Sequence, residues 1–484
     1  MLFNSFAFAI FLPVVFAVYW VLPHRFRWVV MFIASYYFYM SWNVKYVVLI
    51  LFTTVISYLC AIFITKAKSK RIKKVLLAST LTASLGVLFF FKYFNFFSES
   101  ITEAFRLISL PIHPVTLSLM LPVGISFYTF QTLSYVIDVY RGSSKPEKHF
   151  GIYATFIAFF PQLVAGPIER TNNLLPQIKE VHKFNYTKAT YGLKLMAWGF
   201  FKKIVIADTL AVYVDQIYNH ASQFSGFSLL AATVFFAFQI YCDFSGYSDI
   251  AIGAAKLFDI DLMTNFKSPY LSSSIKEFWS RWHISLSSWF RDYVYIPLGG
   301  NRVGRVRHRL NLLITFLISG LWHGASWTFV IWGGLHGIGQ IAENIAGSMV
   351  KAKKKQTLKG FSLLRVLKIC AVFVFCCFAW IFFRSNTLTD ATYIIGHMFD
   401  GIAKPIDYLF VGFKDMGFSK AALMKAILIV AVLLVYDFLA LRRNILFETK
   451  KLPTAARWAI YWVLIVAILL LMPGQTSEFI YFDF

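Results

Sequence analysis

Acidic residues are scarce in this 484-residue chain. Asp and Glu number 23 against 47 Lys and Arg, and charged residues of either sign make up only 14% of it. So little charge cannot solvate the surface of a soluble domain of this size. Cysteine is also rare. The five, Cys60, Cys242, Cys370, Cys376 and Cys377, lie in or beside apolar segments without a C-x-x-C pair, which argues against disulfides and a zinc site. Cys242 alone has polar neighbours, and it reads as a small packed side chain before a reactive one. No P-loop, dinucleotide fingerprint, H-E-x-x-H or G-x-S-x-G occurs, so nothing supports an ATP-driven pump. An internal repeat is missing too, which weakens the case for an inverted-repeat transporter.

What is present is apolar and aromatic: 58% hydrophobic and 19% Phe, Trp and Tyr. The reading is an all-α, polytopic membrane protein. Apolar runs begin near Phe6, Trp28, Tyr46, Val75, Leu117, Tyr153, Leu193, Leu229, Leu312, Thr328, Leu364, Ala422 and Trp458. They suggest about eleven spans, the shorter runs being re-entrant or interfacial. The net charge of +24 does not point to nucleic acid, because the basic residues cluster in short connections: Lys66 to Lys74, Arg302 to Arg309, Lys351 to Lys359 and Arg442 to Arg457. Positive-inside bias puts these in the cytoplasm, against anionic lipid. Such a face also attracts an anionic acyl donor such as a coenzyme A thioester. Counting spans outward places the N-terminus and the tail Pro473 to Phe484 outside the cytoplasm. Phe6 to Leu22, without a basic n-region or cleavage site, reads as a retained span, and the run Lys351 to Lys355 as a solvated turn.

The most informative stretch is Leu321-Trp322-His323-Gly324-Ala325-Ser326-Trp327. A titratable ring in hydrocarbon is costly unless it faces a cavity, and so marks a candidate functional site. The bland alternative is a histidine hydrogen-bonded to a neighbouring helix. Gly320, Gly324, Gly333 and Gly334 suggest a helix thinned so that something can approach the imidazole. His283, His323 and His336 offer no i, i+4 chelate, and thirteen residues separate the last two, roughly 20 Å on a continuous helix. No metal site is expected. A lone histidine there is most simply a general base that frees a hydroxyl oxygen to attack an activated acyl group. Covalent catalysis by the histidine or Cys242 stays open.

From Asn265 to Arg302, Ser274-Ile275-Lys276-Glu277 fits a capping box. Ile275, Phe278, Trp279, Trp282, Leu286, Trp289 and Phe290 then recur at helical spacing. One amphipathic helix along the interface is expected. Its polar positions include Arg281, His283, Ser285, Arg291 and Asp292, as substrate contacts or, for the arginines, partners of lipid phosphate. For His283 a substrate or structural hydrogen bond reads better than proton transfer. In Tyr241-Cys242-Asp243-Phe244-Ser245-Gly246-Tyr247-Ser248-Asp249, the two carboxylates, Asp243 and Asp249, would orient a histidine, bind a hydroxyl, or pair with Lys202 and Lys203, with pairing the better account of the lysines. The break Phe160 to Pro167 suggests a re-entrant element lining a cavity.

Phe278 to Leu286, Phe290 to Tyr293, Ile296 to Arg302 and Gly320 to Trp327 together resemble the membrane-bound O-acyltransferase (MBOAT) family. Pro122 to Phe127, Val164 to Ile168 and the terminal Phe479 to Phe484 extend the similarity over nearly the whole chain. The branch it resembles handles alginate, peptidoglycan or cellulose O-acetylation. The resemblance implies a helical funnel in one integral-membrane domain spanning 1–484. Its core covers about 115–345, with flanking helices in 1–114 and 346–484. It implies that His323 is catalytic, as base or relay, and His283 supporting, with Trp279, Arg281, Trp282, Ser285, Arg291, Asp292, Trp322, Asp243 and Ser245 around them. It also implies an acyl group, usually acetyl, taken from cytoplasmic acetyl-CoA or an acylated carrier protein, with no tightly bound cofactor. The group passes across a bacterial cytoplasmic membrane to a hydrolase-like extracytoplasmic acetyltransferase that modifies the polymer. D-alanyl transfer from a carrier protein is the alternative within the class, and a proton-linked polymer or lipid transporter the alternative outside it.

Overall fold

A computed structural model describes residues 1–110, 112–164, 166–349, 362–473 and 479–482. The lysine run Lys351 to Lys355 and the rest of its basic turn to Lys359 lie outside the described residues, as do Ala165, Gly474 to Glu478, Asp483 and Phe484. The described elements are all helices and turns.

Crossing the hydrocarbon takes about 20 apolar residues in helix. Six helices among the described residues are long and apolar enough: Val44–Lys66, Lys70–Leu107, Phe227–Leu257, Leu363–Arg384, Lys420–Ala440 and Thr454–Leu471. By that measure there are fewer than the eleven apolar runs suggest. Some runs fold as shorter helices, Phe6–Val21 and Phe150–Leu163, and others begin with charge, as Arg305–His323 does at Arg305, Arg307 and Arg309.

The chain folds as two compact units, Met1–Met196 with Ser248–Met263, and Ala197–Tyr247 with Thr264–Phe484. In the first, the helix Val47–Lys66 packs on Ile125–Arg141 and Lys70–Leu88, and His24–Met40 packs on Phe150–Ala158. Their polar groups find one another. Ser57 Oγ lies 2.7 Å from the Tyr153 hydroxyl, and Gln131 Nε2 donates to Phe156 O at 2.7 Å. The helix Phe150–Ala158 is interrupted at Phe159, and a short helix Phe160–Leu163 follows, with Phe160, Gln162, Leu163 and Val164 buried in protein.

The second unit holds an aromatic core of Phe236, Tyr241, Tyr270, Phe278, Trp282, Trp332, Trp380 and Phe383. Tyr270 ties it together, donating its hydroxyl to Ala237 O at 2.6 Å and accepting from Trp380 Nε1 at 3.1 Å. The single interfacial helix expected over Ile275 to Phe290 is instead two short helices, Ile275–Trp279 and Ile284–Phe290, with His283 between them in a left-handed conformation, φ 43°. The cause is competition for backbone partners. Lys267 N donates to Arg281 O at 3.0 Å and Ile284 N to Asn265 O at 2.9 Å, so the loop 265–267 takes groups a helix would use. The tryptophans of the stripe face inward rather than lipid: Trp279, Trp282 and Trp289 are all buried. The capping box forms in half. Ser274 Oγ accepts from Glu277 N at 3.0 Å, whereas the Glu277 carboxylate turns to Ser273 N at 2.7 Å.

Candidate active site

His323 ends the helix Arg305–His323, and extended Gly324 turns the chain toward the helix Trp327–Met349. These two helices cross closely because glycines face each other. A Cβ on Gly320 would collide with the carbonyl oxygen of Phe329, and one on Gly333 with that of Phe316. Small residues permit this approach between membrane helices. What the glycines admit is therefore the partner helix, not a ligand approaching the imidazole as their spacing suggests. The buried His323 ring is walled by Trp332 at 4.9 Å, Trp322 at 5.0 Å and Phe383 at 5.6 Å, centroid to centroid.

His283, equally buried, comes to the same place. Its ring lies 6.3 Å from that of His323 at 69°, 6.1 Å from Trp322 and edge-on to Phe244 at 4.6 Å. A non-glycine residue at positive φ is uncommon and costs strain, and here it turns the imidazole inward from between two helix ends.

The third polar cluster closes the site from another side. Lys203 Nζ lies 2.7 Å from Asp243 Oδ1 and 2.9 Å from Asp208 Oδ1, all three buried, and Lys202 Nζ donates to Ser245 Oγ at 2.8 Å. Both lysines stand in a π-helical stretch, Phe201–Ala207, a local widening common at functional sites. Asp243 Oδ2 accepts the backbone N–H of Ile480 at 2.8 Å. That bond holds the terminal turn Ile480–Phe482 with the Tyr481 ring 5.6 Å from His323, 6.5 Å from His283 and 4.5 Å from Phe244.

A family model for membrane-bound O-acyltransferases matches residues 148–386, the stretch that carries both histidines. Over 399 residues the chain is 39% identical to "Probable alginate O-acetylase AlgI" of Pseudomonas syringae pv. tomato, covering 82% of this chain and 74% of that one. The chain belongs to the MBOAT family. It is 38% identical over 434 residues to the peptidoglycan O-acetyltransferase of Helicobacter pylori, covering 82% of this chain and 80% of that protein. To the teichoic acid D-alanyltransferase of Streptococcus thermophilus it is 29% identical over 299 residues, 58% of this chain and 72% of the other. The protein is thus an all-α membrane acyltransferase, an MBOAT enzyme.

The other residues singled out from the sequence of this MBOAT protein divide by place. Trp279 donates its indole N–H to His336 Nδ1 at 3.2 Å, and Trp282 packs 5.2 Å from Trp380. Ser285 gives both its backbone N–H and its hydroxyl to Asn265 Oδ1, at 3.2 and 3.0 Å. Arg281 pairs with Glu277 at 2.6 Å, and Arg291 with Asp292 at 2.8 Å on the π-turn Arg291–Tyr295. Among the described residues no three His, Cys, Asp or Glu side chains gather as a metal would need. Sequence reasoning gave no site role to Tyr481 or Asn265. Tyr481 stood in a terminal motif with nothing to connect it to His323 and His283, 158 and 198 positions earlier. Two buried imidazoles and a phenol in one aromatic enclosure can move a proton to and from a hydroxyl while water is kept out.

Proposed function

We propose that this acyltransferase takes an acetyl group from a cytoplasmic thioester, acetyl-CoA or an acylated carrier protein. It passes the group across the bacterial cytoplasmic membrane for O-acetylation of an extracytoplasmic polysaccharide, alginate-like, cellulose or peptidoglycan. His323 is the general base. The observation that carries this reading is the meeting of the buried His323 and His283 with the Tyr481 ring, the histidines inside the family-matched segment. His323 removes a hydroxyl proton, the oxygen bonds to the acyl carbon, the carbon–sulfur bond breaks, and the proton leaves on the thiol. Tyr481 is a hydroxyl that the chain itself brings into that space. His283 orients the reacting groups, and the segment Trp279 to Asp292 forms the donor's vestibule. A hydrolase-like extracytoplasmic acetyltransferase completes the transfer to polymer, and both termini lie on its side of the membrane. The second reading is D-alanyl or other acyl transfer from a carrier protein to a cell-wall polymer, and the similarity to a teichoic acid D-alanyltransferase supports its D-alanyl form.

The test is thiol release and label transfer by purified protein given radiolabelled acetyl-CoA or acetylated carrier protein in parallel. His323→Ala should lose both with melting unchanged, and equal activity would remove the base assignment. The donor is whichever thioester is turned over.

A further inference from the structure

We propose that the side-chain amide of Asn265 is a catalytic hydrogen-bond donor that holds the carbonyl oxygen of the acyl group as it becomes an oxyanion. The inference rests on His323 acting as the base of acyl transfer.

Asn265 is 1% exposed. Its Oδ1 accepts from Ser285 N at 3.2 Å and from Ser285 Oγ at 3.0 Å. A backbone N–H can only donate, so these bonds identify the oxygen and turn Nδ2 the other way. Its backbone carbonyl accepts from Ile284 N at 2.9 Å. Both ends of the residue are therefore tied to the two positions that follow His283. Nδ2 itself has no acceptor among the described residues. Buried donors are rarely left so, because the orphaned group loses its hydration without return.

Capping the helix Ile284–Phe290 explains the oxygen and not the nitrogen. An aspartate or serine would accept from Ser285 without burying two N–H groups. The surroundings say what kind of acceptor fits. Phe266, next in the chain, stands 5.0 Å from Phe244, 5.1 Å from Trp282 and 6.5 Å from the His283 ring. A neutral amide in an aromatic enclosure suits an oxygen uncharged on arrival, one that takes up negative charge only during the reaction. An acyl carbonyl is such an oxygen. In the step, the hydroxyl gives its proton to His323 and its oxygen bonds to the acyl carbon. The carbonyl oxygen carries the charge against Asn265 Nδ2. Collapse then breaks the carbon–sulfur bond, and the imidazolium returns the proton to the thiolate.

The test is Asn265→Asp in the full-length protein, assayed by thiol release from the donor that the wild type turns over. Asp keeps the acceptor for Ser285 and loses both donors. The expected result is a fall in kcat of about 10²–10³-fold, with KM changed by less than about 3-fold and an unchanged melting temperature. Wild-type kcat, or a rise in KM alone, overturns the proposal, as does a drop in melting temperature with kcat kept. Should Asn265→Asp not fold, Ser285→Ala serves. It loosens the amide and should cost kcat several-fold, and wild-type kcat there overturns the proposal equally. His323→Ala in the same assay separates the two claims. If it stays active, the base assignment fails. If it is inactive while Asn265→Asp keeps wild-type kcat, the amide alone is wrong.

Discussion

The carboxylate of Asp243 accepts the backbone N–H of Ile480 at 2.8 Å, joining groups 237 positions apart. The same carboxylate answers Lys203, which also meets Asp208. Asp243→Ala therefore leaves a buried amide without its acceptor and a buried lysine with one carboxylate fewer. Breaking such a pair costs about 3–5 kcal/mol. We expect faster amide exchange at Ile480 in the variant, a lower melting temperature, and thiol release reduced at least tenfold as Tyr481 leaves its place. Unchanged exchange at Ile480 would show that the terminal turn is held by its aromatic packing instead.

Tyr481→Phe separates the hydroxyl from the ring. Phe keeps the contacts with His323 and Phe244 that the ring makes, so the melting temperature should stay within about 2 °C, as for a change under 1 kcal/mol. Transfer to the extracytoplasmic partner should fall at least tenfold, measured as acetyl label on the polymer. Full transfer would reduce Tyr481 to a packing residue.

Gly320 and Gly333 make a prediction that Gly334 controls. Alanine at either of the first two meets a backbone carbonyl oxygen, which cannot rotate away, so the helices must separate. Overpacking of this kind costs about 1–3 kcal/mol. At Gly334 the added methyl lies 3.5 Å from Leu317 Cδ2, an ordinary contact. Gly320→Ala and Gly333→Ala should lower both the melting temperature and thiol release, because His323 ends one of the two helices. Gly334→Ala should behave as wild type in both.

How much of this was legible depended on the range over which each residue is determined. His323 and its flanking turn were readable because a histidine in an apolar run is anomalous whatever surrounds it. The helix Ile275 to Phe290 was misread as continuous because periodicity reports only which side chains are apolar. It carries nothing about the carbonyl of Asn265 waiting for Ile284 N. The tryptophan stripe was real, and its burial against Trp380 and Trp332 depended on helices more than 40 residues downstream. Asp243 could be flagged as needing a partner. That the partner is Ile480, and that Tyr481 arrives with it, is tertiary information.

Away from the histidines, Asp259 and Asp261 give the first unit an acid limit. Lys188 Nζ reaches Asp259 at 2.7 Å and Asp261 at 3.1 Å. Lys256 reaches Asp261 at 2.5 Å, and His182 lies 3.1 Å from Asp259. Partial burial pushes both carboxyls up, but the bonds from Lys188 and His182 to Asp259, and from Lys256 and Lys188 to Asp261, outweigh it and hold both below their ordinary value. A carboxyl depressed in the folded state binds protons more readily once unfolded. Its stabilisation is then fully present above the unfolded value, about 3.9, and is lost as pH falls through the lower folded value. The melting temperature of detergent-solubilised protein should be flat in this respect above about pH 5 and fall with acid below it. Lys188→Met removes the shared cation, so its melting temperature should start lower and lose less on acidification than that of the wild type. Parallel curves for the two proteins would show that the network contributes nothing to the acid limit.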